Sequence, residues 1–339
     1  GIFYRTMVES GLTGSRALTA VSVQSNMPLI IRGDYPMTNL GDPLRYSLLG
    51  VNYASAASND RVKQTDANEA SNLRAHPDKD NRALIYGLGN QFHETLDIFQ
   101  QINFANNEFY DPNNPTVRLF NVADSYYKNL KAAAQILANT GAIVAGTQLG
   151  GFDNHTNQGG VTGTHANLLR RIGHTMYALK YFFSNPAYNN QGRDMWDDIV
   201  VVTLSEFGRT SIDNASLGTD HAEASVMYVA GGAVKGGVYA CDPSANATMG
   251  VPNWTPADIG WTQASPTAAG GSMMATGSRY LKRAVDYRSV LGEIIRDHLG
   301  ATQDQLNRII PAYASESVEH LKSGVSGGTT PIIGELGII

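Results

Sequence analysis

Apolar residues recur along the chain at two spacings, and each spacing predicts an element. Over 121–139, Val122, Tyr126, Leu130, Ala134 and Leu137 return at helical intervals, and Gly141 stands just past the end, where glycine often terminates a helix. In the next helix, Leu168, Leu169, Ile172, Met176, Leu179 and Phe183 line one face. Thr162 or Thr164 is a candidate cap at its start, and Asn185-Pro186 stops it. A last helix opens at Asp286, carries Val290, Leu291, Ile294, Ile295 and Leu299, and ends at Gly300. Gly1 to Arg5 also reads as the opening of a helix. Short uncharged runs predict strands at 142–146, at 199–204 and at 226–230, the last running into Gly231-Gly232. The run from Ile199 to Leu204 is the strongest, being β-branched and apolar throughout, as a strand buried on both faces requires. The stretch 17–31 suits one or two strands ended by Arg32-Gly33-Asp34. Residues 142–204 therefore read as strand–helix–strand, with a connection long enough for a right-handed parallel crossover.

Polar and low-periodicity stretches mark the surface. Residues 54–82 are dominated by Ser, Asn, Asp and Lys and read as a surface excursion; 241–279, rich in Pro, Gly, Ala, Ser and Thr, reads as a loop insert. The segment 323–339 reads as a tail that adds an edge strand or docks on a partner. The remainder, 1–322, reads as a single α/β domain, a size that one large core can hold.

Composition narrows the function classes. Without a basic tract and with a formal net charge of −5, the chain offers no nucleic-acid surface. No apolar run reaches the ~20 residues that span a bilayer. Cys241 is the single cysteine, so an intrachain disulfide is excluded, which suits both a cytosolic protein and a cysteine-poor exported one. Abundant Asn, Tyr, Gly, Ser and Thr lean toward the exported alternative. The opening at Gly1, inside a helical pattern and without Met, leads us to expect a longer precursor.

Two polar clusters follow the two best strands: Asp153 and His155 after the first, and Ser205, Glu206, Arg209 and Thr210 after the second. Ligands of open parallel sheets bind beyond the carboxyl ends of the strands, so the two clusters are expected to meet there. A third, Asp220-His221, precedes the third strand and joins them if that strand is antiparallel or if the 211–218 loop carries it back. Carboxylates and imidazoles together suit a divalent metal, zinc, manganese or iron, that activates water and stabilises anionic charge. Arg209 is the candidate for holding a phosphate or sulfate oxygen pair.

Each cluster also has a plainer reading. Asp153-Asn154-His155 can be a hydrogen-bonded turn, Glu206 with Arg209 an ion pair at a strand end, and Asp220-His221 a cap. His165 and His174 sit on the 163–184 helix, and only His165 is near enough in sequence to support the Asp153 loop. Asn154-His155-Thr156 and Asn214-Ala215-Ser216 match glycosylation sequons by chance. The glycines at 231, 232, 236 and 237 lack phosphate-loop spacing.

The series Gly150-Gly151-Phe152-Asp153-Asn154-His155 with Gln158, Ser205-Glu206-Phe207-Gly208-Arg209-Thr210, Gly218-Thr219-Asp220-His221, Gly231 to Gly237, and Asp286-Tyr287-Arg288 with Leu299-Gly300 resembles the DUF1501 family. We place that family within the alkaline-phosphatase-like and sulfatase-like superfamily. The resemblance is densest over 142–300. It implies a three-layer α/β/α fold with a mostly parallel central sheet, a metal centre, and export to the periplasm or beyond, commonly by the twin-arginine route. It also implies metal ligation by Asp153 and His155, by Glu206 where relatives carry an Asp-His pair, and by His221. The chain departs from the pattern in its lone Glu206 and in Ala222 where glycine is common, and we expect it to begin after the N-terminal strand that carries the nucleophile, which is either on a preceding segment or lacking.

Two functions are therefore expected. The first is a metal-dependent hydrolase of phosphate or sulfate esters. Asp153, His155, Glu206 and His221 would hold zinc (alternatively manganese, iron or calcium), Asp220 would assist, and Arg209 would hold the anion. The attacking group would come from upstream of Gly1 or from water at the metal. The second is an exported binding or assembly protein that keeps the fold without turnover and engages a protein partner or a second copy.

Overall fold

A computed structural model describes residues 1–12, 18–34, 37–46, 79–105, 108–237, 239, 280, 285–314, 321–324 and 333–339; within 79–90 only Gly89 is described beyond the main chain. Cys241, the 241–279 insert and most of the 54–82 excursion lie outside these residues. The chain forms two compact units, one of residues 1–149 and 187–191, the other of 150–186 and 192–339.

The first unit is α/β. Strand β1 (Ala20–Val23) lies between β2 (Thr38–Leu40) and β5 (Val144–Gly146), and both pairings are parallel. Helices α1 (Ile2–Glu9), α2 (Lys79–Gln100) and α3 (Ser125–Asn139) belong to this unit, as does the small antiparallel pair of β3 (Tyr110–Asp111) and β4 (Asn114–Arg118). Val21 and Val23 of β1 and Leu40 of β2 meet Ala132, Ala133 and Ile136 of α3 and Phe99 of α2 in one apolar core. Asp124 caps α3, its carboxylate accepting from the Tyr126 amide at 2.9 Å. The helix is the one the sequence predicts, but its buried surface is wider than the predicted stripe. Ile136, Ala132 and Ala133 carry the packing while Tyr126 and Leu137 are only partly buried, because this helix is covered on most of its circumference. Within 17–31 the chain forms β1 and then a short 3-10 turn, Leu29–Ile31, in place of a second strand.

The second unit holds α4 (Thr164–Ser184), α5 (Tyr287–Glu293), which continues as a π-helical turn through His298, and α6 (Gln303–Ile309). Its strands are β6 (Val200–Val202), β7 (Gly208–Arg209), β8 (His221–Ala222) and β9 (Val229–Gly231). Strand β6 pairs antiparallel with β9, and β7 pairs antiparallel with β8. The parallel β5–β6 crossover expected from the sequence is therefore not formed among the described residues: β5 pairs with β1, and β6 with β9. An apolar run alone does not fix a strand's partner, and β6 is only half-buried. Neither threonine caps α4; Gly163 occupies the cap position without a side-chain bond.

The tail segment 333–339 docks inside its own unit. Ile338 packs with Val290 and Ile294, and Val200, Val202 and Val229 lie against this cluster. The buried Glu293 carboxylate accepts from the main-chain amides of Leu336 and Ile338. Burial pushes the Glu293 carboxyl up, and these amides oppose the shift without cancelling it. Lys235 donates to the carbonyls of Gly337 and Ile339 at 3.1 and 2.9 Å. Among the described residues, no helix is long and apolar enough to cross a membrane.

Candidate metal centre

Two loop segments of the second unit run antiparallel and build the site. The amides of Asn157 and Gln158 donate to the carbonyls of Ser216 and Leu217, and the Thr219 amide donates to the carbonyl of Asn154. Gly218 permits this approach: a Cβ there would fall on the main chain of His155. Asn214 ties the turn together. Its Oδ1 accepts from the amides of Ser216 and Gly218, while its Nδ2 donates to the His155 carbonyl and to Asp220 Oδ1. The β7–β8 pairing then sets Arg209 directly opposite His221.

These contacts draw Asp153, His155 and His221 to one point. Asp153 Oδ1 stands 2.8 Å from Nε2 of His155 and 2.8 Å from Nε2 of His221, and the two imidazole nitrogens are 3.1 Å apart. Three atoms each ~2.1 Å from one ion stand about 3.0 Å apart at right-angled coordination and about 3.4 Å apart in a tetrahedron, so the observed triangle fits the donor set of a small divalent cation. All three side chains are exposed, which leaves one side of the triangle open to solvent.

Neighbouring groups fix the orientation of these side chains. Asp220 Oδ1 lies 3.4 Å from Nδ1 of His155; in the tautomer with the proton on Nδ1, the Nε2 lone pair faces the triangle. Phe207 stacks on His221 with ring centroids 4.1 Å apart. Desolvation acts to raise the Asp153 carboxyl, but hydrogen bonds from His221 and Arg209 together with the charges of His155 and His221 outweigh it and hold the group below the usual carboxylate range. The imidazole of His165, on the first turn of α4, is edge-on to Phe152; burial, and then the Arg209 charge, depress its basicity.

Five of the six residues expected at the site are gathered here: Asp153, His155, Arg209, Asp220 and His221. Glu206 is exposed in the turn before β7 and is not one of the triangle's ligands. The guanidinium of Arg209 is turned inward, with only 12% of the side chain exposed. Its Nη1 donates to Asp153 Oδ1 at 2.5 Å, its Nε to Thr219 Oγ1 at 2.9 Å, and its Nη2 to the Thr219 carbonyl. Asn214, Thr219 and Gln158 were not foreseen as site residues. Asn214 had its signal in Asn214-Ala215-Ser216-Leu217-Gly218, a turn motif hidden by its match to a sequon; Thr219 and Gln158 stand inside the motifs but carry no ionisable group.

Residues 46–251 match the family described as "Protein of unknown function (DUF1501)". No curated protein and no solved structure matches the chain. The matched span covers more than half of the chain and contains every residue of the triangle; the chain belongs to the DUF1501 family.

Proposed function

We propose that this protein is an exported, metal-dependent hydrolase of phosphate or sulfate esters on an alkaline-phosphatase-like scaffold, with a divalent ion held by Asp153, His155 and His221. The observation that carries the reading is the convergence of one carboxylate oxygen and two imidazole nitrogens, all within 4.8 Å of one another, on an exposed surface. Two imidazoles and one carboxylate favour zinc, with manganese or iron next, and weigh against calcium, which takes oxygen ligands. Three protein ligands with one side open is the arrangement of catalytic zinc sites, whereas structural sites are closed by four. When bound there, the ion would polarise an ester oxygen and make water more acidic.

The residues of the chain divide the remaining work. Asp153 supplies the anionic ligand, His155 presents Nε2 because Asp220 takes Nδ1, and Phe207 holds the His221 ring. Arg209, expected from the sequence to bind the substrate's anion, instead directs three of its five N–H donors to Asp153 and Thr219. Substrate charge in this reading is met by the ion itself, and Glu206 is not required as a ligand.

That commitment of Arg209 also favours a second reading, an exported binding or assembly protein that keeps the fold without turnover. Elemental analysis of the purified protein, with aryl phosphate and aryl sulfate hydrolysis measured on the same sample, separates the two. Stoichiometric transition metal with hydrolysis, both lost in His221→Ala, supports the hydrolase. Absence of hydrolysis supports the second reading, and protein that stays metal-free after loading with Zn2+ contradicts the hydrolase.

A further inference from the structure

We propose that Thr219 and Gln158 are positioning residues of the metal centre, which lock the guanidinium of Arg209 so that one of its amino groups is fixed on the Asp153 carboxylate. The inference rests on the reading that Asp153, His155 and His221 bind an ion. A guanidinium is a planar fork whose donors keep fixed relative directions. Thr219 engages that fork twice, through Oγ1 at Nε, 2.9 Å away, and through its carbonyl oxygen at Nη2. Two contacts from one residue set both the position and the plane of the fork, so the direction of the third, Nη1 on Asp153 Oδ1, is determined.

Gln158 sets the state of the threonine hydroxyl. Because Oγ1 accepts from Arg209, its own proton must point elsewhere, and it is donated to Gln158 Oε1 at 2.6 Å. The acceptor oxygen of Gln158 thus turns a lone pair of Thr219 toward Nε. The loop that carries Gln158 bends through left-handed backbone on both sides, at Asn157 (φ +46°) and Gly159 (φ +76°), and the Gln158 amide is anchored on the Leu217 carbonyl at 2.8 Å. Neither Thr219 nor Gln158 is one of the three ligands, so their influence on an ion passes through Arg209 and Asp153. Side chains that orient metal ligands typically govern ~10–100-fold in affinity.

Co2+ titration of the full chain tests this, read by visible absorption and by competition with a chromophoric chelator. Thr219→Val removes the hydroxyl and Gln158→Leu removes the acceptor oxygen. Each is expected to weaken Co2+ binding ~10–100-fold and to shift the absorption bands. Thr219→Ser and Gln158→Glu keep the required oxygen and are expected to retain wild-type affinity and spectrum. If Thr219→Val does not fold, Gln158→Leu with its Glu counterpart carries the test alone. Wild-type protein that binds Co2+ while the Val and Leu variants match it in affinity and spectrum overturns the proposal alone. Wild-type protein that takes up no Co2+ overturns the reading beneath it, and the proposal with it.

Discussion

Arg209 and Asp153, 56 positions apart in sequence, meet at 2.5 Å, Nη1 of the guanidinium on Oδ1 of the carboxylate. The same Oδ1 faces both imidazoles of the triangle, so the arginine orients the carboxylate oxygen that the two histidines share. Arg209→Lys keeps the positive charge but cannot hold Thr219 and Asp153 together. We expect it to lower Zn2+ affinity by ~10–100-fold, measured by chelator competition, with the unfolding midpoint little changed. Equal affinity in wild type and Arg209→Lys would remove the orienting role.

The turn that builds the site carries a strained residue. Leu217 has φ +58° and is 62% exposed, a left-handed conformation that costs a residue with a side chain about 1–2 kcal/mol and glycine almost nothing. Leu217→Gly is expected to be neutral or to stabilise the protein by up to about 1 kcal/mol, the relief being partly offset by the greater freedom of glycine in the unfolded chain. Gly218→Ala should do the reverse, destabilising by about 1–3 kcal/mol, because its Cβ meets the main chain of His155. Urea unfolding of the two variants should shift in opposite directions, or for Leu217→Gly not at all; a destabilised Leu217→Gly would show that its side chain matters more than its backbone.

Glu293 gives the second unit a pH signature. Its folded carboxyl is raised above the ordinary value because burial disfavours the charge. The folded state therefore holds this proton more tightly than the unfolded state. The resulting stability is fully present below the unfolded carboxylate pKa of about 4.3 and is lost as pH rises through the folded value. Denaturant unfolding of wild type and Glu293→Gln from about pH 4 to pH 7 should show the stability of wild type relative to the variant falling as pH rises. A difference that does not vary with pH would mean that the amides of Leu336 and Ile338 offset the burial completely.

The tail offers a packing test. Ile338 is 3% exposed among Val290, Ile294 and the strands β6 and β9. Ile338→Ala should destabilise by about 2–5 kcal/mol. A loss below about 0.5 kcal/mol, of the size seen for surface substitutions, would place the tail outside the core.

What the sequence made legible follows from the range of each interaction. The α3 helix and the α5 start are local: apolar period, Asp286 as a cap, and the arrest at Gly300, whose φ is +77°; the Asp124 cap and the later start of α3 were not read from the sequence. Asp153, His155 and His221 were readable as candidate ligands because residue type alone marks them, but the same mark also picked out Glu206, which is not part of the triangle. Strand partners were not readable, since β6 suits a parallel or an antiparallel neighbour equally well and finds β9. The direction of Arg209 was also hidden. Whether a guanidinium faces solvent or folds back on Thr219 depends on the β7–β8 pairing and on the zipper between 154–158 and 216–219, and neither is encoded in residue spacing. Gln158 and Thr219 matter through a hydroxyl and an amide oxygen, which leave no mark in charge or periodicity.

X-ray absorption on zinc-loaded full-length protein tests the centre most directly. The account predicts one equivalent of zinc in a nitrogen and oxygen shell at ~2.0–2.1 Å, with outer scattering from two imidazoles. In His221→Ala, one of the two imidazoles should be lost from that scattering. A spectrum with no imidazole contribution, or one unchanged in His221→Ala, would contradict the claim that Asp153, His155 and His221 share one ion.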